Sequence, residues 1–387
     1  MKITQLQIKG FKSLKNIKWT PGDLNVIIGP NASGKSNFLR FLELTSMSAK
    51  GELGKYIISS GGMQFIAWNN EATEIYFSVD AQVFTPSNYQ LSLFNNPAAN
   101  GYLIANEKLI AQDINDKNIS VSLLERNHEH AIIIDQKGNK REKPLNQLPW
   151  GESLLSIYNN WSEYNSYISE YKQFFEKIKV YHDINVTGKS HIRQSAVSRV
   201  ETHVDEDGEN LISVLHTHYT NDKSFKNNID AAMKTAFGEQ YEALSFPPAA
   251  DQRIQLGICW KDLKWPSPAI ALSDGTLRFL FLITVLACPE LPSIIAIDEP
   301  ETGLHPGMLP IIAEFAAEAS KRSQIIITTH SAQLLDSFSD IKPTTTVTSL
   351  ENGETKMNVI KDKELEYWLK EYSMGSLYVS GELEDMI

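Results

Sequence analysis

The stretch that most limits how this chain can fold is Gly29-Pro30-Asn31-Ala32-Ser33-Gly34-Lys35-Ser36. It follows LNVII at 24–28 and precedes an amphipathic segment running from about Ser36 to Met47. A short, nearly all-apolar run reads as a strand buried on both faces. The eight residues after it fit G-x-x-x-x-G-K-[ST]. Glycines there let the chain turn so that successive N–H groups and the helix N-terminus face phosphate oxygens. In such a loop Lys35 reaches the β- and γ-phosphates of a nucleotide and the Ser36 hydroxyl holds Mg²⁺. The expected nucleotide contacts are therefore Gly29, Asn31, Ala32, Ser33, Gly34, Lys35 and Ser36, with Asn37 next in the helix.

The C-terminal part also carries strong signals. A helix at about 275–287 leads through a proline-bracketed turn into SIIAIDEPETGLHP. A helix at about 307–321, the strand QIIITTHS and a helix at 331–338 follow. Buried strands alternating with helices predict an α/β fold, a parallel sheet with helices on its faces. The strand SIIAID delivers Asp298 and Glu299 to the sheet's carboxyl edge, where ligands of open α/β sheets bind. An acidic pair after a strand is on its own more often a loop or cap feature. Paired with a phosphate loop, Asp298 is expected in the Mg²⁺ shell and Glu299 is placed to polarise an attacking water. A lone histidine at a strand end is usually structural, but His330 ends a strand expected near the one carrying Asp298, from which its imidazole could approach the γ-phosphate; spacing ties Arg253 and Arg278 to nothing. In ALSDGTLRFL at 271–280, Ser273 and Gly275 open an otherwise apolar helix. Small polar residues there cost helix stability unless something close by needs their backbone or hydroxyl.

With 387 residues, 42% of them hydrophobic and 21% charged, the composition is that of a soluble globular protein with an ample core. A net charge of −11 argues against a generally basic nucleic-acid binder. Lys9, Lys12, Lys15 and Lys18 form either a strand edge blunted by lysines or a local basic lip for phosphate or nucleic acid. Two cysteines, Cys259 and Cys288, cannot build a disulfide framework and read as core thiols in a reducing cytoplasm. MKITQLQIKG lacks the apolar region of a signal peptide, and FLFLITVLA at 279–287 falls far short of the ~20 residues that span a bilayer. No membrane association is expected.

Between 86 and 240 the periodicity weakens. AIIID at 131–135 reads as strand, and GENLISVLHTHY at 208–219 as helix. Leu154, Ile157, Trp161, Tyr164, Ile168, Tyr171, Phe175 and Ile178 step by three and four, predicting one face of a long helix over 152–179. Asp205-Glu206-Asp207 reads as a solvated acidic turn, and His216 and His218 diverge by about 200° on a helix, which makes them poor co-ligands.

In chain order, Gly29–Ser36, LSDGT at 272–276, IDEPE at 297–301 with GLHP at 303–306, and TTHS at 328–331 resemble the motifs of an ABC-type ATPase head. FKSL at 11–14 and the short LSDGT signature are unlike transporter subunits. They resemble the RecF/SMC/OLD-like branch, more narrowly the bacterial AAA_21-type ATPases of phage-defence and DNA-maintenance operons. GENLISVL and the C-terminal YWLKEYSMGSLYVSGEL extend the likeness over nearly the whole chain.

The resemblance implies a single discontinuous P-loop head over 1–387. Its core would be 1–85 and 241–387, around a variable mixed or helical insertion at 86–240, with a mostly parallel central sheet and an N-terminal antiparallel part. It implies ATP and Mg²⁺ as cofactors, with Ser36 and Asp298 as metal ligands and Lys35, Glu299 and His330 as catalytic residues. Ser273 and Gly275 of one protomer would cap the γ-phosphate held by another, in a homodimer or larger homo-oligomer. Gly303–His305 would run along that interface, and Lys12 would approach the nucleotide. A separate effector such as a nuclease or toxin is implied, because the roughly 57 residues after His330 are too few for the topoisomerase-primase module of OLD-type nucleases. The alternatives are a DNA-repair ATPase binding nucleic acid directly and a slowly hydrolysing scaffold or sensor. Two departures stand out: Asp274-Gly275-Thr276 replaces the glycine pair and glutamine of transporter signatures, and the glutamine loop has only Gln64 and Gln147 as candidates.

Overall fold

All five residues of Leu24–Ile28 are buried in a strand, as an apolar run without alternation requires. The strand pairs in parallel with Thr344–Glu351, Ile28 opposite Val347, and Thr344–Glu351 pairs antiparallel with Glu354–Val359. The computed structural model describes residues 1–96, 101–113, 116, 119–127, 130–144, 147–158, 165–360 and 372–385. It groups Met1–Val180 with Thr344–Ile360 as one compact unit, and Tyr181–Pro343 with the described C-terminal residues as a second.

The first unit also holds an eight-stranded antiparallel sheet. Its order is Leu14–Trp19, Lys2–Phe11, Glu74–Gln82, Pro86–Asn96, Gly101–Gln112, Ser120–Arg126, His130–Ile134 and Lys140–Pro144. The described residues of 86–144, expected to open a mixed or helical insertion, are therefore largely strand. Alternation decides which face is covered: in Glu74–Gln82 the buried residues are Ile75, Phe77, Val79 and Ala81. The helix Lys35–Lys50 lies against the covered face. Phe38 meets Trp19 edge-on at 4.8 Å, and Phe41 meets Phe11 at 5.7 Å and Phe77 at 5.3 Å. Each such ring contributes about 1.5–3 kcal/mol by burial alone. Trp19 Nε1 also donates to Thr346 Oγ1 at 3.0 Å, tying the sheet to the strand beside Leu24–Ile28. The N-terminus of the helix is thus fixed from both sides.

The long helix expected over 152–179 does not form. Its apolar residues divide among the helix Leu154–Ile157, the helix Ser166–Glu176 and the strand Ile178–Tyr181, and Trp161 and Tyr164 lie outside the described residues. Asn165 is the cause of the break. In extended conformation, its side-chain oxygen accepts from the N–H groups of Tyr167 (3.0 Å) and Ile168 (3.4 Å), starting a new helix. Its Nδ2 donates to the Ile134 carbonyl at 2.8 Å. Spacing by three and four survives because both pieces bury one side against the same core: Phe175 packs on Tyr89 at 5.2 Å.

In the second unit Ile294–Asp298 and Gln324–Thr329 run parallel, in register from Ile294 opposite Gln324 to Asp298 opposite Thr328. The helix Leu309–Ser320 makes the crossover between them. The helix Asp274–Ala287 is buried nearly all round, from Thr276 and Leu277 through Leu286. Helices Leu211–Asn221 and Lys223–Phe237 belong to the same unit. The chain is an α/β protein whose parallel strands are connected through helices, with an antiparallel N-terminal part. Asn165→Ala should lower the unfolding free energy by about 1–2 kcal/mol, seen as a shifted denaturation midpoint with nucleotide affinity unchanged.

Candidate functional site

The loop after Leu24–Ile28 adopts a backbone that suits glycine at two points. Gly29 has φ 152° and Gly34 φ 104°. A Cβ on Gly29 would overlap the Thr348 carbonyl oxygen, and one on Gly34 would overlap the Thr355 side chain. Ser33 Oγ lies 2.6 Å from Thr348 Oγ1, which itself donates to the Ile28 carbonyl at 2.9 Å. Lys35 is buried, and its Nζ reaches back to donate to the carbonyls of Gly29 (2.7 Å) and Pro30 (3.1 Å). No acidic residue occupies the first turn of Lys35–Lys50, so no carboxylate there competes with an anion at the helix N-terminus. Ser36 is half-buried in that turn, while Asn31 and Ala32 are exposed, Ala32 in the left-handed region at φ 65°.

The FKSL turn is anchored to this loop. Asn37 Nδ2 donates to Ser13 Oγ at 2.8 Å, and Thr355 Oγ1 donates to the same oxygen at 2.7 Å. Lys12 is held at φ 45° with its N–H on the Ile66 carbonyl. Partial burial, with Arg40 nearby, lowers its pKa from the usual lysine value. The other lysines point to different tasks. Lys9 lies over the Tyr76 ring, and Lys15 lies over the Trp68 ring and pairs with Glu354. Of the two sequence candidates for a glutamine loop, Gln64 is exposed in the short helix Met63–Ile66 and Gln147 is exposed as well.

Within the second unit the structure brings Asp298, Glu299 and His330 together. Thr328 Oγ1 donates to Asp298 Oδ1, and His182 Nδ1 lies 3.2 Å from Asp298 Oδ2. Glu299 sits in the left-handed region at φ 47°, with its N–H on the Thr328 carbonyl at 3.0 Å. That conformation costs a non-glycine residue on the order of 1–3 kcal/mol and concentrates at functional positions. Glu299 Oε1 lies 3.0 Å from His330 Nδ1. Glu301 braces the histidine from behind: its Oε1 accepts from Thr329 Oγ1 (2.5 Å) and the His330 N–H (3.3 Å), and burial pushes its pKa up. Asp298 is a hard oxygen ligand of the kind Mg²⁺ takes, as is the Ser36 hydroxyl. Glu299, oriented by His330, is a carboxylate that can accept a proton from water. His182 and Thr328 were not singled out from sequence. Thr328 stood inside the TTHS motif, but His182 follows a strand in a weakly periodic region and gave no signal.

Ser273 and Gly275 each have a local structural role. Ser273 caps the helix Asp274–Ala287, its Oγ accepting from the Thr276 N–H at 3.1 Å. A Cβ on Gly275 would stand 2.9 Å from the Gly303 carbonyl, so the signature helix and the GLHP loop meet at a point with no room for a side chain. Ser273 itself is exposed. Arg278 Nη1 reaches the Thr302 carbonyl at 3.5 Å, whereas Arg253 donates to Ser195 O. His218 is engaged by the Thr202 carbonyl at 2.9 Å.

A phosphate loop, a capped helix after LSD, an acidic strand end and a following histidine are thus carried on an α/β fold. Over residues 24–336 the chain matches the family described as "AAA domain, putative AbiEii toxin, Type IV TA system", and it belongs to that family. No curated protein matches the chain in sequence. Among solved structures, an SmcHead bound to the C-winged helix domain of ScpA is similar with a TM-score of 0.54 at 15% identity, covering 95% of this chain and 100% of that one. An Smc head domain with an extended coiled coil, bound to the C-terminal domain of ScpA derived from Pyrococcus furiosus, gives 0.52 at 12% identity, covering 95% and 98%. At these identities the likeness is one of fold. No helix among the described residues is long and apolar enough to cross a membrane. Gly34→Ala should lower the denaturation midpoint, because its Cβ meets Thr355 at a positive φ, and weaken ATP binding by roughly tenfold or more, about 1.4 kcal/mol, measured by titration with a fluorescent ATP analogue.

Proposed function

We propose that the protein binds ATP with Mg²⁺ and hydrolyses it to ADP and phosphate, working as a homodimer of heads that drives or gates a separate effector protein. The phosphate loop and Lys35 hold the phosphates, and Ser36 and Asp298 hold the metal. Bound Mg²⁺ would neutralise charge on the phosphate oxygens. Glu299 accepts the proton of the attacking water while His330 fixes its carboxylate. Catalysis by such a set is positioning and electrostatic stabilisation. The observation that carries the reading is the Glu299–His330 contact of 3.0 Å, with Glu299 held in a costly backbone conformation beside Asp298. A purely nucleotide-binding scaffold has no need of that expense.

Ser273 and Gly275 support the dimer. They present an exposed serine, whose hydroxyl is shared with Thr276, and a bare backbone at a helix N-terminus, which suits capping the γ-phosphate bound to another protomer. The family's description names a putative toxin and a Type IV TA system; the separate effector is our own addition to it. Anti-phage defence is the role in which we place it. Lys35→Ala should abolish ATP binding. Glu299→Gln should bind ATP and accumulate as a dimer on light scattering, with turnover lowered about 10²–10⁴-fold. Wild-type specific activity should rise with protein concentration. A normal rate from Glu299→Gln would refute the assigned base, and a flat concentration dependence would refute the dimer.

A further inference from the structure

The signature loop is held by a side chain that no motif contains. Arg193 lies in the short turn His191–Arg193, and its side chain is only 6% exposed. Its Nη1 donates to the carbonyls of Leu272 (2.6 Å), Ala269 (3.1 Å) and Ile270 (3.4 Å), and its Nη2 pairs with Asp274. Its Nε donates to the Val186 carbonyl at 2.7 Å, closing the loop it sits on. One planar fork thus binds the main chain on one side of Ser273 and the side chain on the other. Lysine, with a single point charge, cannot reproduce that. Asp274 is 67% exposed, so the ion pair itself adds little. The buried bonds to carbonyls set the position, because removing their donor leaves polar groups without compensation.

The segment carrying Arg193 starts at His182, which lies against Asp298. Two modes of action are therefore open to it. It can act on the magnesium carboxylate of its own protomer, or on the signature loop offered to the other. Five donor contacts at Arg193, four of them on residues 269–274, favour the second. We propose that Arg193 is a positioning residue for the signature half-site, setting Ser273 and Gly275 for the nucleotide bound by the partner protomer. The inference rests on the dimeric ATPase reading above.

Mixing experiments test it. Arg193→Met should bind ATP with wild-type affinity and lose turnover by roughly 10²-fold, the loss expected from an ångström-scale misplacement. Lys35→Ala should be inactive alone. A mixed dimer of the two has one site with both lesions and one site with neither, so an equimolar mixture should recover roughly a quarter of wild-type turnover under random pairing. Ser273→Arg mixed with Lys35→Ala is the control. If that control recovers while Arg193→Met with Lys35→Ala does not, Arg193 acts within its own protomer and the inference is overturned. If neither mixture recovers, the composite dimer fails and takes the inference with it. Wild-type turnover by Arg193→Met alone also overturns it. Should Arg193→Met lose ATP binding through misfolding, Arg193→Lys goes through the same mixtures, with the same recovery expected and its absence counting equally against the proposal.

Discussion

Everything at the phosphate loop depends on how tightly the hairpin of Thr344–Glu351 and Glu354–Val359 closes on it. The Thr348 carbonyl and the Thr355 side chain take the space that side chains at 29 and 34 would need. Those glycines are usually explained by the ligand they admit. Here the protein's own backbone already demands them. The loop is therefore shaped before any phosphate arrives, and the groups that shape it come from more than 300 residues further along the chain. Ser33, Asn37 and Lys35 add their bonds to a frame that Thr348, Thr355 and Ser13 have set. The aromatic seam from Trp19 through Phe38, Phe41 and Phe77 then keeps the helix from sliding relative to that frame.

The carboxylate end works by a different economy. Three acids, Asp298, Glu299 and Glu301, crowd into four residues, and like charges so close must be separated or bonded. The left-handed turn at Glu299 aims its carboxylate toward His330, while Asp298 is taken by Thr328 and His182 and Glu301 folds inward onto Thr329. Two adjacent threonines in one strand thus sort three acids into different environments. Glu301, buried and pushed toward its neutral form, is the one that structure rather than charge explains.

What the sequence made legible was whatever chemistry is local. Strand, loop and helix around Gly29–Ser36, the acids after Ile297 and the histidine after Thr329 all follow from runs of fewer than ten residues, and they lie where such runs place them. The groups that orient them were not legible. His182 and Arg193 have their partners some 80 to 116 residues away, in a region whose polar residues follow no period. Spacing also misled over 152–179. Two helical pieces and a strand presented their apolar sides to one core and so imitated a single helix, and only Asn165, read as an N-cap, could have exposed the join. The antiparallel strands of 86–144 were missed in part because half-covered strands rich in Asn and Ser alternate only weakly.

In the proposed dimer, Ser273 illustrates how a structural duty narrows the choice of a recognition residue. A helix can be capped by aspartate, asparagine, serine or threonine, since each offers an oxygen to the first free N–H groups. Capping consumes an acceptor and nothing else. Ser273 Oγ accepts from the Thr276 N–H and lies 2.7 Å from Thr276 Oγ1; when the threonine hydroxyl donates, the serine keeps a hydrogen of its own to direct outward, whereas an ionised aspartate has none and would meet any anion with its own negative charge. One atom can then close its own helix and greet a negatively charged guest at once, and the neutrality of the cap becomes the condition for doing both.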